Sequence, residues 1–160
     1  MKTLILFYSR TGTTGAVAEA LAGALEADIA NIECPRYRPG WFRYLRAGYD
    51  SVTGRLPPID LPRIAFAEYD LLVLGTPVWT SYPALPVRSF LSQSPGVPSR
   101  VALFLTFGGH SPPEKAVKFV AERVSVTLEA TLVLRHETVV RAAISEAIDG
   151  FVANLNAPRE

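Results

Sequence analysis

The chain has 160 residues, of which 49% are hydrophobic and 19% charged, with a formal net charge of +1 and a pI near 7.9. The total charge suggests neither a nucleic-acid-binding protein nor an acidic disordered chain, and no apolar run is long enough to insert in a membrane. Its one cysteine, Cys34, cannot form an internal disulfide, so a single domain over residues 1–160 in a cytoplasmic setting is expected.

The first element is the apolar run Leu4-Ile5-Leu6-Phe7-Tyr8, read as a buried strand over residues 3–8. It breaks into Ser9-Arg10-Thr11-Gly12-Thr13-Thr14 and then into a helix over 14–26, with Val17, Leu21 and Leu25 on one face beside Ala18 and Ala22. A turn at the C-terminal end of a parallel strand leaves backbone N–H groups pointing outward, and the helix adds the positive end of its dipole. An anion such as phosphate suits that position, with hydroxyl donors from Ser9, Thr11, Thr13 and Thr14 and close backbone approach at Gly12. Ser, Thr and Gly also make ordinary turns and helix caps, so the motif alone leaves both readings open.

Residues 28–33 alternate polar and apolar, as a half-buried edge strand does. The connection over 34–69 is long for a crossover. Within it Phe42, Leu45, Tyr49 and Val52 fall at helical spacing between Pro39-Gly40 and Gly54, which predicts a helix over about 41–53. This insert concentrates Arg36, Arg38, Arg43, Arg46, Arg55 and Arg63 against Asp50 and Asp60. Two readings remain open. The arginines could receive an anionic partner or a nucleotide phosphate, with Tyr37, Trp41 and Tyr44 for stacking; or they form a solvated face while the aromatics anchor the insert.

Near-continuous apolar runs at 71–74, 101–105 and 131–134 predict central parallel strands covered on both faces. Between them, Pro86 opens a helix bearing Val87, Phe90 and Leu91. Ser111-Pro112-Pro113-Glu114 reads as a capping box ahead of Val117, Val120, Val124 and Leu128, and Ile144, Ile148, Phe151 and Leu155 form the buried stripe of the last helix. Five strands alternating with helices predict an open α/β sheet with right-handed crossovers. Ligands of such sheets lie beyond the C-terminal strand ends, which singles out the loops 9–14, 76–82 and 106–111.

In those loops the segments Tyr8-Ser9-Arg10-Thr11-Gly12-Thr13-Thr14, Gly75-Thr76-Pro77-Val78-Trp79 and Thr106-Phe107-Gly108-Gly109-His110 resemble the three FMN-binding loops of the flavodoxin family, in order along the whole chain. The resemblance implies an open five-stranded parallel sheet of order 2-1-3-4-5 with helices on both faces, non-covalent FMN and redox chemistry. It implies that Ser9, Arg10, Thr11, Gly12, Thr13 and Thr14 hold the FMN phosphate, and that Pro77, Val78, Trp79, Thr80 and Tyr82 line one face and edge of the flavin ring. Thr106, Phe107, Gly108, Gly109 and His110 would border its other side. The near-neutral charge departs from the acidic surface common in carrier members of the family, as does a third loop offering His110 in place of an acidic residue and an aromatic.

Two functions stay in view: a flavin-dependent reductase using NAD(P)H with a quinone or similar small-molecule acceptor, and a one-electron carrier serving redox partner proteins. A third is a fold that has lost FMN and acts as an interaction module. Other chemistries of this layout lack their residues. No Cys stands in the first loop for a phosphatase, no aspartates cluster at strand ends for a receiver, no metal-ligand spacing exists, and Ser9 has no evident base.

Overall fold

The computed structural model describes residues 1–93, 95–109, 111–140 and 144–157. In chain order the elements are β1 (Thr3–Phe7), α1 (Thr13–Leu25), β2 (Asp28–Asn31), α2 (Trp41–Thr53), β3 (Leu71–Trp79), β4 (Tyr82–Pro83), α3 (Leu85–Ser92), β5 (Arg100–Phe107), α4 (Glu114–Val124), β6 (Leu128–Arg135), α5 (His136–Val140) and α6 (Ser145–Asn156). The strands lie in the order β2-β1-β3-β5-β6, all parallel, while β4 folds back antiparallel onto the end of β3. Numbered among themselves, the five parallel strands run 2-1-3-4-5. The expected all-parallel sheet therefore needs one correction, the two-residue strand β4.

Alternation along the central strands divides the core into two layers. Leu4, Leu6, Leu72, Leu74, Leu103 and Leu105 face α3 and α4, packing on Val87, Phe90, Ala116 and Val120. Ile5, Leu71, Val73, Ala102 and Phe104 face α1 and α6, packing on Val17, Leu21, Ile148, Phe151 and Leu155. The run at 131–134 is not central as expected. In the edge strand β6, Ala130, Leu132 and Leu134 are buried while Thr131, Val133 and Arg135 are exposed. Two further expectations fail locally. No side chain caps α4, whose N-cap is Pro113, so Ser111 makes no capping box; and Leu128 opens β6 opposite Val101 instead of closing the helix stripe.

The insert begins at Cys34, which is buried and whose Sγ–H donates to Pro58 O at 3.6 Å. Its helix α2 occupies the expected span but turns the opposite face inward. Ala47 and Asp50 are buried, while Phe42, Leu45, Tyr49 and Val52 are exposed. The inward face is fixed by polar contacts: Arg36 Nε–H and the Tyr37 hydroxyl each donate to Asp50 Oδ2 at 2.8 Å. The Arg36 guanidinium, followed by the Tyr37 hydroxyl, holds the Asp50 carboxyl below its ordinary range against the opposing effect of burial. Arg36 is thus an anchor, whereas Arg38, Arg43, Arg46, Arg55 and Arg63 are exposed. Of the insert aromatics Tyr37 is fully buried, while Trp41 and Tyr44 are not. Ser89 Oγ–H donates to Pro57 O at 2.7 Å, and Glu33 and Asp60 exchange backbone hydrogen bonds, tying the returning chain to α3 and to the end of β2.

Candidate functional site

The turn after β1 is shaped by Gly12, whose φ of +95° is a left-handed conformation that favours glycine. Its N–H donates to Ser9 Oγ at 3.1 Å and its carbonyl accepts from Ala16 N–H at 2.9 Å. The N-cap Gly12 has no side chain with which to cap α1, so the start of that helix carries no N-cap side-chain hydrogen bond. Thr14 is buried and shares a 2.7 Å hydrogen bond with Thr106 Oγ1, which locks the first loop to the third. Thr13 Oγ1 lies 2.8 Å from His136 Nδ1.

The second loop is a tight hairpin. Thr80 and Ser81 have φ of 49° and 70°, the mirror-image turn whose twist matches paired strands, here built without glycine. Below it the buried Thr76 hydroxyl donates to Pro77 O at 2.9 Å and accepts from Ala84 N–H at 3.0 Å. Trp79 is half-buried and meets Tyr8 and Tyr37 edge-on, with centroids 5.7 and 5.5 Å away. Burial is the main cause that pushes both tyrosine hydroxyls above their usual pKa, so this aromatic trio is neutral.

The three loops enclose a cleft of about 180 Å³. Arg10, Thr11, Thr13 and Thr14 line one end; Pro77, Val78 and Trp79 line a second wall; Thr106, Phe107 and Gly108 line the third. One end is therefore rich in hydroxyls and N–H groups, and the other apolar and aromatic. Of the remaining candidates, Ser9 and Gly12 build the turn itself, and Thr80 faces an adjoining groove. Tyr82 does not line the cleft; its ring meets Phe119 at 6.0 Å. Gly109 is exposed, and His110 lies outside the described residues. Arg10 reaches toward the insert, with Nη2 donating to Gly40 O at 3.4 Å and its guanidinium 5.2 Å from the Tyr44 ring.

His136 is the lining residue that sequence reasoning missed. It directly follows β6, so the rule that ligands lie beyond C-terminal strand ends, applied to the last strand as well, was the available signal.

No family model and no curated protein sequence matches the chain. Solved structures do. A flavoprotein from Lactobacillus acidophilus NCFM, crystallised in complex with FMN, is 25% identical, with a TM-score of 0.66 over 88% of this chain and 97% of that one. The fold is flavodoxin-like. An azoreductase from Bacillus anthracis is 18% identical with a TM-score of 0.55, over 97% of this chain and 100% of its own. An NAD(P)H:quinone oxidoreductase from Methanothermobacter marburgensis is 13% identical with a TM-score of 0.54, over 100% and 98%. The last two show the flavodoxin-like fold alone. Among the described residues no helix is long and apolar enough to cross a membrane, and no cluster of His, Cys, Asp or Glu could hold a metal ion.

Proposed function

We propose that this chain binds FMN in the three-loop cleft and is a flavin-dependent oxidoreductase, reducing a quinone or similar small acceptor with NAD(P)H. The carrying observation is the uncapped first turn of α1, opening on a cleft whose far wall is Pro77, Val78 and Trp79. The residues fit the cofactor. Backbone N–H groups and the hydroxyls of Thr11, Thr13 and Thr14 suit a phosphate, Trp79 and Phe107 suit a flat ring, and no metal is needed. FMN supplies reversible electron transfer when bound. Trp79, held by Tyr8 and Tyr37, presents an aromatic wall, while Gly108 adds no side chain to the opposite one, which favours access by a second small molecule.

The similarity to a flavoprotein complexed with FMN supports the cofactor. Titration of flavin-free protein with FMN tests it: one equivalent is expected to bind, and Thr11→Ala with Thr13→Ala weakens binding by about 1.5–3 kcal/mol per lost donor. Unchanged affinity in the double variant overturns the phosphate assignment. Anaerobic mixing of the loaded protein with NADH or NADPH tests the reductase reading, bleaching of the flavin within seconds being expected. A flavin that only a partner reductase reduces identifies a one-electron carrier instead.

A further inference from the structure

A second cavity, of about 440 Å³, opens between α2 and the β3–β4 hairpin and shares Arg10, Val78 and Trp79 with the cleft. Its α2 wall is formed by Tyr44, Leu45 and Tyr49, so aromatic and aliphatic surface stands on both sides. Two lining polar atoms, Arg10 Nε and Ser51 Oγ, are shielded from solvent and have no hydrogen-bond partner among the described residues. Arg10 is the only cation among the described lining residues, and none of the described ion pairs neutralises it.

Such a combination is costly without a ligand. Buried polar groups are nearly always satisfied, and a partly buried guanidinium normally has a counter-charge. The walls call for a flat apolar body, and a single guanidinium calls for a single negative charge. A carboxylate matches the guanidinium because its two oxygens meet the planar N–H fork. A phosphate dianion would leave one charge unmatched beside apolar walls.

We propose that this groove binds a flat aromatic carboxylate, its ring between the Tyr44–Tyr49 wall and Trp79, its charge on Arg10, with the Ser51 hydroxyl as a second donor. The inference deepens the proposed function, since it rests on that reading for the ligand's place beside a flavin, though binding itself can be measured without one.

The test is calorimetric titration with 2-naphthoate, and with 2-naphthamide as the neutral analogue, on flavin-free and FMN-loaded protein. One equivalent of naphthoate is expected in both, with the amide at least about tenfold weaker, as loss of one charge-assisted contact implies. Arg10→Gln weakens naphthoate by about tenfold or more, and Ser51→Ala weakens it severalfold. Gly48 lines the groove and a Cβ there meets no atom within 4 Å, so Gly48→Leu adds bulk to the groove wall. It abolishes naphthoate binding and leaves FMN affinity unchanged, and the melting temperature does not fall, because leucine is the better helix former within α2. Equal binding of acid and amide, no saturable binding, or unaltered binding in Gly48→Leu overturns the proposal. Loss of naphthoate binding on FMN loading also overturns it, because the ligand would then occupy the cofactor cleft. Naphthoate binding without FMN binding defeats the proposed function alone; FMN binding without naphthoate binding defeats the groove alone.

Discussion

Gly75 and Phe104 are in contact across β3 and β5, and a Cβ on Gly75 would collide with the Phe104 ring. The phenyl ring fills the place a side chain would take on the neighbouring strand, one residue before the Thr76–Trp79 segment that walls the cleft.

Gly75→Ala is accordingly expected to destabilise the protein by about 1–3 kcal/mol or more, the cost of overpacking a dense core. Thermal melts of the single variant and of Gly75→Ala with Phe104→Leu check this. The double variant recovers part of the loss if the ring is the obstacle, and an unaltered melting temperature in Gly75→Ala contradicts the geometry.

His136 is expected to steady the Thr13 hydroxyl through their 2.8 Å contact. If Thr13 serves the phosphate, His136→Ala raises the FMN dissociation constant by an amount equivalent to about 0.5–1.5 kcal/mol, the usual net worth of an intramolecular hydrogen bond. Equilibrium titration reads it directly. Equal affinity in the variant means that the imidazole lines the cleft without contributing.

Trp79 and Trp41 are the two tryptophans of the chain, and Trp41 is 65% exposed on α2. In Trp41→Phe the remaining emission comes from Trp79 alone. It is expected to fall in step with FMN binding, and Trp79→Ala should lose about 0.5–1.5 kcal/mol of FMN affinity beyond the area buried. Emission unchanged at saturation would assign Trp79 to the Tyr8–Tyr37 aromatic cluster and not to the cofactor wall.

Acid and alkali should act on different residues. The folded Asp50 carboxyl titrates below its ordinary value because of Arg36, so its contribution is present above about pH 4 and is lost as the pH falls through the folded value. Tyr8 and Tyr37 are shifted upward, mainly by burial, so their contribution is complete below about pH 10 and is lost as the pH rises through their folded values. Stability measured against pH is expected to show a shallower acid limb in Asp50→Asn and a shallower alkaline limb in Tyr37→Phe. Each variant should also lose about 1–3 kcal/mol near neutrality, because Tyr37→Phe removes a hydrogen bond to a buried carboxylate and Asp50→Asn removes the charge that strengthens two.

The sheet was legible because buried parallel strands such as Leu71–Leu74 and Val101–Leu105 are nearly all apolar, a pattern few other structures require. The insert was legible as a helix but not in its orientation. Periodicity identifies an apolar stripe without saying what covers it, and here a buried carboxylate, Asp50, overrides the larger stripe of Phe42, Leu45, Tyr49 and Val52. A cap that Pro113 displaced and a strand only two residues long, β4, depend on local backbone geometry that residue types alone do not reveal. His136 escaped attention because it directly follows an edge strand whose alternation made its apolar run weaker than those at 71–74 and 101–105.

Cys34 gives the insert a built-in timer. Burial lifts its thiol above the usual range and outweighs the backbone hydrogen bonds that favour the thiolate, so alkylating reagents have little to attack while the chain is closed. Labelling must await excursions in which residues beyond β2 lift away from Pro58 and α3. The rate at which a maleimide consumes this lone sulfur therefore counts those openings, and its slowing on addition of 2-naphthoate or FMN would show which ligand holds the insert shut.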